Sequence, residues 1–591
     1  MSWQVKASDH RYKLRILKLS LTKTVDLPNH HAIEVTLVHS DPEHIVADGG
    51  IQITHSSLVP DEAMLFRCQS ADTHFFTVHE YRLWCQRFAA GLRKSGLKTG
   101  DRVLIFSSND LFYPVAFMGI VMAGGIFTGA NPTYTPRELA YQLNDSGATY
   151  LLCADGSLDT GIAAAELIGM SRDKIFVFNG ALFDGTGEGR EGCRYWGDLI
   201  ASPAEGSNFA WDTLSTPQEV DRTLALNYSS GTSGSPKGVQ ISHRNYVANL
   251  FQFHNSNYLR SDWQERDRTA RWLCFLPMYH AMAQNIFIAS SLTREIPVYI
   301  MARFDFVQML EAIQRFRITN LTVVPPIAVA LAKHPLVKKY DLSSVVSIGS
   351  GAAPLSREIS EEVEALFPPG TLYVRQGWGM TETTLSMLGW DPNDRGTSSS
   401  VGELNPNCEA RIMANDGVTE LGRNQRGEIW VRGPNVMKGY WNKPEATKET
   451  LTEDGWLKTG DVGYVDDTGK FYIVDRIKEL IKVKGNQVAP AELEGLLLEH
   501  PAVADTAVIG VTRNNEEYPR AYITLKQGQT ATAEDITNFV KQRVSPTKRI
   551  TGGVIFTDNI PKNPSGKILR RLLRDQAQKE INQENVGSSK L

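Results

Sequence analysis

The chain has 591 residues, 62 Lys and Arg against 66 Asp and Glu, a formal charge of −4 and 42% hydrophobic residues. That balance fits a globular protein of several domain-sized units, excludes a disordered chain, and lacks the basic footprint of a nucleic-acid binder. The six cysteines (Cys68, Cys85, Cys153, Cys193, Cys274 and Cys408) form no CxxC pair, so no zinc or redox site is expected and they read as reduced thiols of an intracellular protein.

The opening MSWQVKASDHRYKLR holds no apolar run, so no secretory signal is expected, and residues 1–40 read as an N-terminal extension. Thr77 and Glu80 are spaced as a capping box. Tyr81, Trp84, Cys85, Phe88 and Leu92 then recur at helical spacing up to Gly96, and Arg102 to Phe106 reads as a buried strand. Residues 112–130 are uncharged and nearly long enough to cross a bilayer. They contain one proline and four glycines, so a buried helix, turn and strand is predicted rather than a transmembrane segment. Thr135, Pro136 and Glu138 open another helix, and Thr149 to Cys153 is strand-like. Repeated strand–helix–strand units predict an α/β fold whose large N-terminal domain is layered from parallel-sheet subdomains.

Past residue 460 the texture changes. Gly463 to Val474 reads as a hairpin around Asp467-Thr468-Gly469. A lysine-rich segment, a helix near residues 490–500 and short mixed elements follow, predicting a small α+β domain. The expected division is 1–40, 41–476, 477–577 and a polar tail over 578–591. The tail ends Ser589-Lys590-Leu591, a tripeptide read by the peroxisomal import receptor, so the peroxisomal matrix is the expected location.

Between two strand-like runs, Tyr228 to Gly238 reads YSSGTSGSPKG. Nothing in it can build a core. Its glycines let successive N–H groups curl inward as an anion nest, its hydroxyls add donors and Lys237 adds a full charge, so a polyphosphate is the natural guest. It is not a Walker A loop, because Pro236 stands five places after Gly231 and Lys237 is followed by Gly238. Nor does G-x-S-x-G fit.

This stretch resembles the phosphate loop of the adenylate-forming superfamily, the acyl- and aryl-CoA synthetases, 4-coumarate-CoA ligases and luciferases. Gln376 to Glu382 (QGWGMTE), Tyr440, Gly455 to Asp461 (GWLKTGD), Val474 to Gly485 (VDRIKELIKVKG) and Pro564 to Lys567 (PSGK) follow in the family's order, and the resemblance covers about residues 60–575. It implies an AMP-forming acid–thiol ligase. ATP and a carboxylic acid would give an acyl-adenylate and pyrophosphate, and CoA would then displace AMP, with Mg²⁺ assisting. It also implies the roles of individual residues. Ser229, Ser230, Gly231, Thr232, Ser233, Gly234 and Lys237 would hold the β- and γ-phosphates. Thr381 and Glu382 would attend the α-phosphate, with Glu382 a ligand of Mg²⁺. Gly351, Ala352, Ala353, Gln376, Gly377 and Trp378 would form the adenine pocket, Trp378 standing where the family usually shows tyrosine. Asp461 would accept from the ribose hydroxyls beside Arg476, and Lys567 would reach the reacting carboxylate. The small domain would turn about Lys478 and bring Lys482, Lys484 and Gly485 to the thiol tunnel.

His280 would sit at the mouth of the acid pocket, with Met282, Ile286 and Gly351 in its wall. Coumarate-type ligases carry an aromatic residue two places after that histidine and a small hydroxyl six places after it. Met282 and Ile286 favour adaptable apolar packing over a hydrogen bond to a phenol. A medium-chain, branched or unhydroxylated aryl-alkanoic acid is therefore expected, for peroxisomal lipid or specialised-metabolite biosynthesis. A luciferase-type oxygenase and a stand-alone adenylating enzyme would share the fold. However, the run after His280 lacks the luciferase glycine-rich turn, and no carrier segment follows the small domain.

Overall fold

The structure is a computed structural model. It describes residues 5–6, 44–47, 51–54, 63–67, 74–229, 236–395, 399–483, 486–513, 516–563 and 566–588.

Two seven-stranded, largely parallel sheets carry the large domain. The first runs Arg194–Tyr195, Ile175–Phe178, Ala148–Ala154, Arg102–Phe106, Ile126–Ala130, Thr223–Ser229 and Lys237–Ser242 in spatial order. Its last two strands form an antiparallel hairpin that pairs Ser229 with Lys237. The second sheet runs Val374–Gln376, Ser347–Ser350, Asn320–Val323, Trp272–Cys274, Val298–Ile300, Ala63–Arg67 and Phe75–Thr77. One continuous apolar core joins both.

Local chemistry sets the element boundaries. Glu80 N–H donates to Thr77 Oγ1 at 3.2 Å while Thr77 N–H donates back to the Glu80 carboxylate at 2.9 Å, and Thr135 and Glu138 repeat the box. The first of these helices, Val78–Lys94, stops before Gly96, whose φ of +97° is left-handed. The apolar window is a fully buried helix, Tyr113–Met122, then a turn at Gly124 and the buried strand Ile126–Ala130. Among the described residues no helix is long and apolar enough to cross a membrane.

A third, antiparallel sheet holds Glu409–Met413, Gly427–Arg432, Leu457–Val465 and Phe471–Arg476, and Val5–Lys6 pairs onto its edge against Ala410 and Glu409. The hairpin expected around Asp467 lies here, with Gly469 at φ +90° in the turn. Beyond it Val503–Arg513, Glu516–Leu525 and Val554–Phe556 form a three-stranded sheet. It is covered by the helices Pro490–Leu498, Ala533–Lys541 and Arg570–Ser588, around cores separate from that of the large domain.

Candidate active site

The parallel strands of both sheets end at one place. Ser229, Ser350 and Gln376 are the last residues of their strands, and all three line a cavity of about 600 Å³. A crevice at the carboxyl ends of parallel strands is where α/β sheets bind ligands.

Where the resemblance implies an adenine pocket, Gly377 N–H donates to Ser350 O at 2.8 Å and Gly351 N–H to Val323 O at 3.2 Å. Ala352 adopts φ +73°, a left-handed turn that keeps the backbone close to the cavity. Gly351, Ala352, Gln376, Gly377 and Trp378 line the wall, whereas Ala353 does not reach it. Ser350, absent from the sequence reading, also lines the cavity, and its buried Oγ has no hydrogen-bond partner among the described residues.

Trp378 was expected to offer a stacking face. Its edge does more: Nε1 donates to Asp461 Oδ2 at 2.9 Å. Arg476 Nε lies 3.0 Å from Asp461 Oδ1, held there by the pairing of the two strands in register. Both carboxylate oxygens of buried Asp461 are thus engaged.

The loop expected to hold phosphates is partly described. Ser230, Gly231, Thr232, Ser233 and Gly234 lie outside the described residues. Of the loop's ends, Ser229 lines the cavity and Lys237 sits across the hairpin from it. Lys237 Nζ lies 4.8 Å from the centre of the Tyr440 ring, whose hydroxyl donates to Glu382 Oε1 at 2.9 Å. Glu382 is buried beside Thr381, and both line the cavity. No cluster of three or more His, Cys, Asp or Glu occurs among the described residues. One carboxylate at a nucleotide site suits Mg²⁺, which keeps its waters and takes phosphate oxygens as its other ligands.

The small domain contributes Asn563 and Lys567 to the cavity wall. Asn563 and Lys567 form a tight turn. Asn563 N–H donates to Lys567 O at 2.9 Å, and Lys567 N–H donates to Asn563 Oδ1 at the same distance. Gly566, at φ +80°, lies so close to the large domain that an added Cβ would stand 3.0 Å from Val324 Cγ2. The turn carries Lys567 into the cavity wall beside His280. Burial first, then the Arg476 guanidinium, push the Lys567 ammonium down to about 8. Burial and the Lys567 charge push His280 down to about 4. His280 is therefore neutral at pH 7, suited to orient an acid rather than to deprotonate one.

Met282 and Ile286 line the same cavity. They belong to Ala281–Ala283 and to the π-helix Gln284–Ser290 that continues it, in which every residue is buried. Sequence periodicity does not reveal a π-helix, whose wider turn often marks functional sites. Reciprocal amide bonds between Asn227 and Gln284, at 3.1 and 3.2 Å, tie it to the first sheet.

Lys478 lies in the turn after Phe471–Arg476. Exposed Lys482 does not line the cavity, and its N–H donates to Glu517 Oε2 at 2.7 Å. Lys484, Gly485 and the terminal Ser589, Lys590 and Leu591 lie outside the described residues. Asp475, which the sequence reading missed, accepts from the N–H groups of Arg476 at 2.7 Å and Ala491 at 3.0 Å, joining the last strand of the third sheet to the first helix of the small domain.

The comparisons agree with this geometry. A family model described as AMP-binding enzyme matches residues 57–441, and one described as AMP-binding enzyme C-terminal domain matches 492–567. 4-Coumarate–CoA ligase 1 of Petroselinum crispum is 38% identical over 88% of this chain and 92% of its own. Phenylacetyl-CoA ligase epaB of Aspergillus niger is 37% identical over 85% of this chain and 91% of its own. ATP-bound MatB from Rhodopseudomonas palustris superposes with a TM-score of 0.75 at 27% identity, covering 89% of this chain and 97% of that one.

Proposed function

The chain belongs to the AMP-binding enzyme family and is an AMP-forming acid–CoA ligase, and we propose that it activates a medium-chain, branched or aryl-alkanoic acid in peroxisomes. The observation that carries the substrate class is the wall beside His280. Met282 and Ile286 present a thioether and a branched alkyl group to the cavity, which favours an apolar body next to the reacting carboxylate.

The first step joins a carboxylate oxygen of the acid to the α-phosphorus of ATP and breaks the bond to the β-phosphate, releasing pyrophosphate. Lys567 holds positive charge where the acid and phosphate oxygens meet, and a preorganised charge there favours the transition state. His280 orients the acid. Asp461 and Trp378 fix the nucleoside end, and Mg²⁺ bound with the nucleotide at Glu382 would neutralise phosphate charge. In the second step the CoA sulfur attacks the acyl carbon and AMP leaves. Lys567 has to withdraw first, and a rotation of the small domain about Lys478 would bring Lys482 and Lys484 towards CoA. Such domain motions gate turnover in many enzymes.

Peroxisomal placement rests on Ser589-Lys590-Leu591. The substrate reading is tested by CoA consumption across straight-chain, branched and arylacetic acids with 4-coumarate as comparator. It predicts higher kcat/KM for the apolar acids, and preference for coumarate would overturn it.

A further inference from the structure

The acid cavity does not stop at the apolar wall. It follows the face of the second sheet along Ser347–Ser350 and Asn320–Thr322, ending at Val346 and Thr319. From Ser350 to Val346 that is about 13 Å at ~3.3 Å per strand residue. The cavity is also cationic. Arg260, Arg266, Arg294 and Arg375 line it, Arg375 on the strand position paired with Gly349 and Arg294 over the ring of Trp272, which pairs with Asn320.

Three of these have protein acceptors. Arg260 pairs with Asp262 at 2.9 Å, Arg294 with buried Asp267, and Arg375 donates to the carbonyls of Pro392 and Asp394 at 3.0 and 2.7 Å. The side chain of Arg266 has no hydrogen-bond or ion-pair partner among the described residues, and Arg375 has no carboxylate partner. Burial and the charge of Arg260 both depress the Arg266 and Arg375 guanidiniums, while the carboxylates of Asp262 and Asp267 pull Arg266 the other way and those of Asp394 and Asp391 pull Arg375. None of these four aspartates lines the cavity, so on its side a partly desolvated guanidinium favours an entering anion. Trp272 also lines the cavity, with Arg294 Cζ 5.3 Å from its ring centre, and its buried Nε1 has no hydrogen-bond partner among the described residues.

We propose that the substrate carries a second anionic group at its far end, as in an α,ω-dicarboxylic acid, seated against Arg266. This rests on the acid–CoA ligase reading and deepens it. One carboxylate lies at His280 and Lys567, the chain crosses Met282 and Ile286, and the other carboxylate meets the Arg266 guanidinium. A site built to bond a polar group discriminates strongly against analogues that lack it.

The test compares kcat/KM for monocarboxylic acids and α,ω-diacids of matched length, with Arg266→Gln and Arg266→Lys beside the wild type. The wild type is expected to favour the diacid by about tenfold or more, and Arg266→Gln to lower the diacid-to-monoacid ratio by a similar factor, as loss of a charged hydrogen bond requires. Arg266→Lys should restore part of the ratio. A wild type that turns over monoacids or arylacetic acids but gains nothing from the second carboxylate leaves the ligase reading intact and overturns this inference. A ratio unchanged in Arg266→Gln overturns it too. Failure to activate any acid of either series overturns both.

Discussion

Trp378 Nε1 donates to Asp461 Oδ2 at 2.9 Å, so the residue that offers a flat face to the cavity also fixes the carboxylate behind it. Trp378→Phe keeps an aromatic face and removes the donor. Asp461 then holds only Arg476. A hydrogen bond to a charged group contributes about 1.5–3 kcal/mol, so KM for ATP is expected to rise about tenfold with little change in KM for the acid. Initial rates of pyrophosphate release at varied ATP check this, and an equal rise in both KM values would contradict it.

The depressed Lys567 ammonium makes adenylation sensitive to pH. Only the protonated form carries the charge, so kcat/KM for acid-dependent pyrophosphate release should fall as pH rises through about 8. Lys567→Arg, if active, should move that falling limb to higher pH. A profile flat to pH 10 in the wild type would contradict the assignment.

The same shift has a cost in stability. The Lys567 amine titrates near 8 in the folded chain against 10.5 ordinarily, so between these values the unfolded chain binds more protons and stability rises with pH. At neutral pH the buried charge is therefore unfavourable, and Lys567→Met is expected to stabilise the protein by on the order of 1–3 kcal/mol while removing adenylation. Thermal melts at pH 7 and pH 10 measure it, and a gain that does not shrink at the higher pH would count against this origin.

Ile286 lines the cavity from a π-helix that the first sheet holds in place through Asn227 and Gln284. Ile286→Ala should widen the pocket and shift preference towards bulkier aryl-alkanoic acids. Each methylene in such a pocket is worth about 1–3 kcal/mol, so the ratio of kcat/KM values for phenylacetic against a straight-chain acid should rise at least about tenfold. An unchanged ratio would place the acid elsewhere.

Full-length protein tagged at its N terminus should be found in peroxisomes. Removing Ser589 to Leu591 should leave it in the cytosol with unaltered ligase activity in vitro. Continued import by microscopy would defeat the targeting role of the tripeptide.

What was legible in the sequence was local. Both capping boxes and the apolar helix–turn–strand announce themselves within a dozen residues. Long-range pairings do not: nothing near Val5 foretells its bridge to Ala410, and nothing in QGWGMTE foretells that the indole would bond Asp461 83 residues later. Family motifs supplied that order for the nucleotide site. They were silent on the π-helix and on the arginines at the far end of the cavity, because those depend on which strands and helices meet, not on neighbours in the chain.

Acid activation depends on Lys567, which meets His280 at the cavity wall. The direct measurement compares two half-reactions of Lys567→Ala: pyrophosphate release from ATP and acid, and CoA attack on a supplied acyl-adenylate. The first should fall about 10²- to 10³-fold, as loss of a preorganised transition-state charge requires, while the second stays near the wild-type rate. Equal loss in both, or neither, would contradict it.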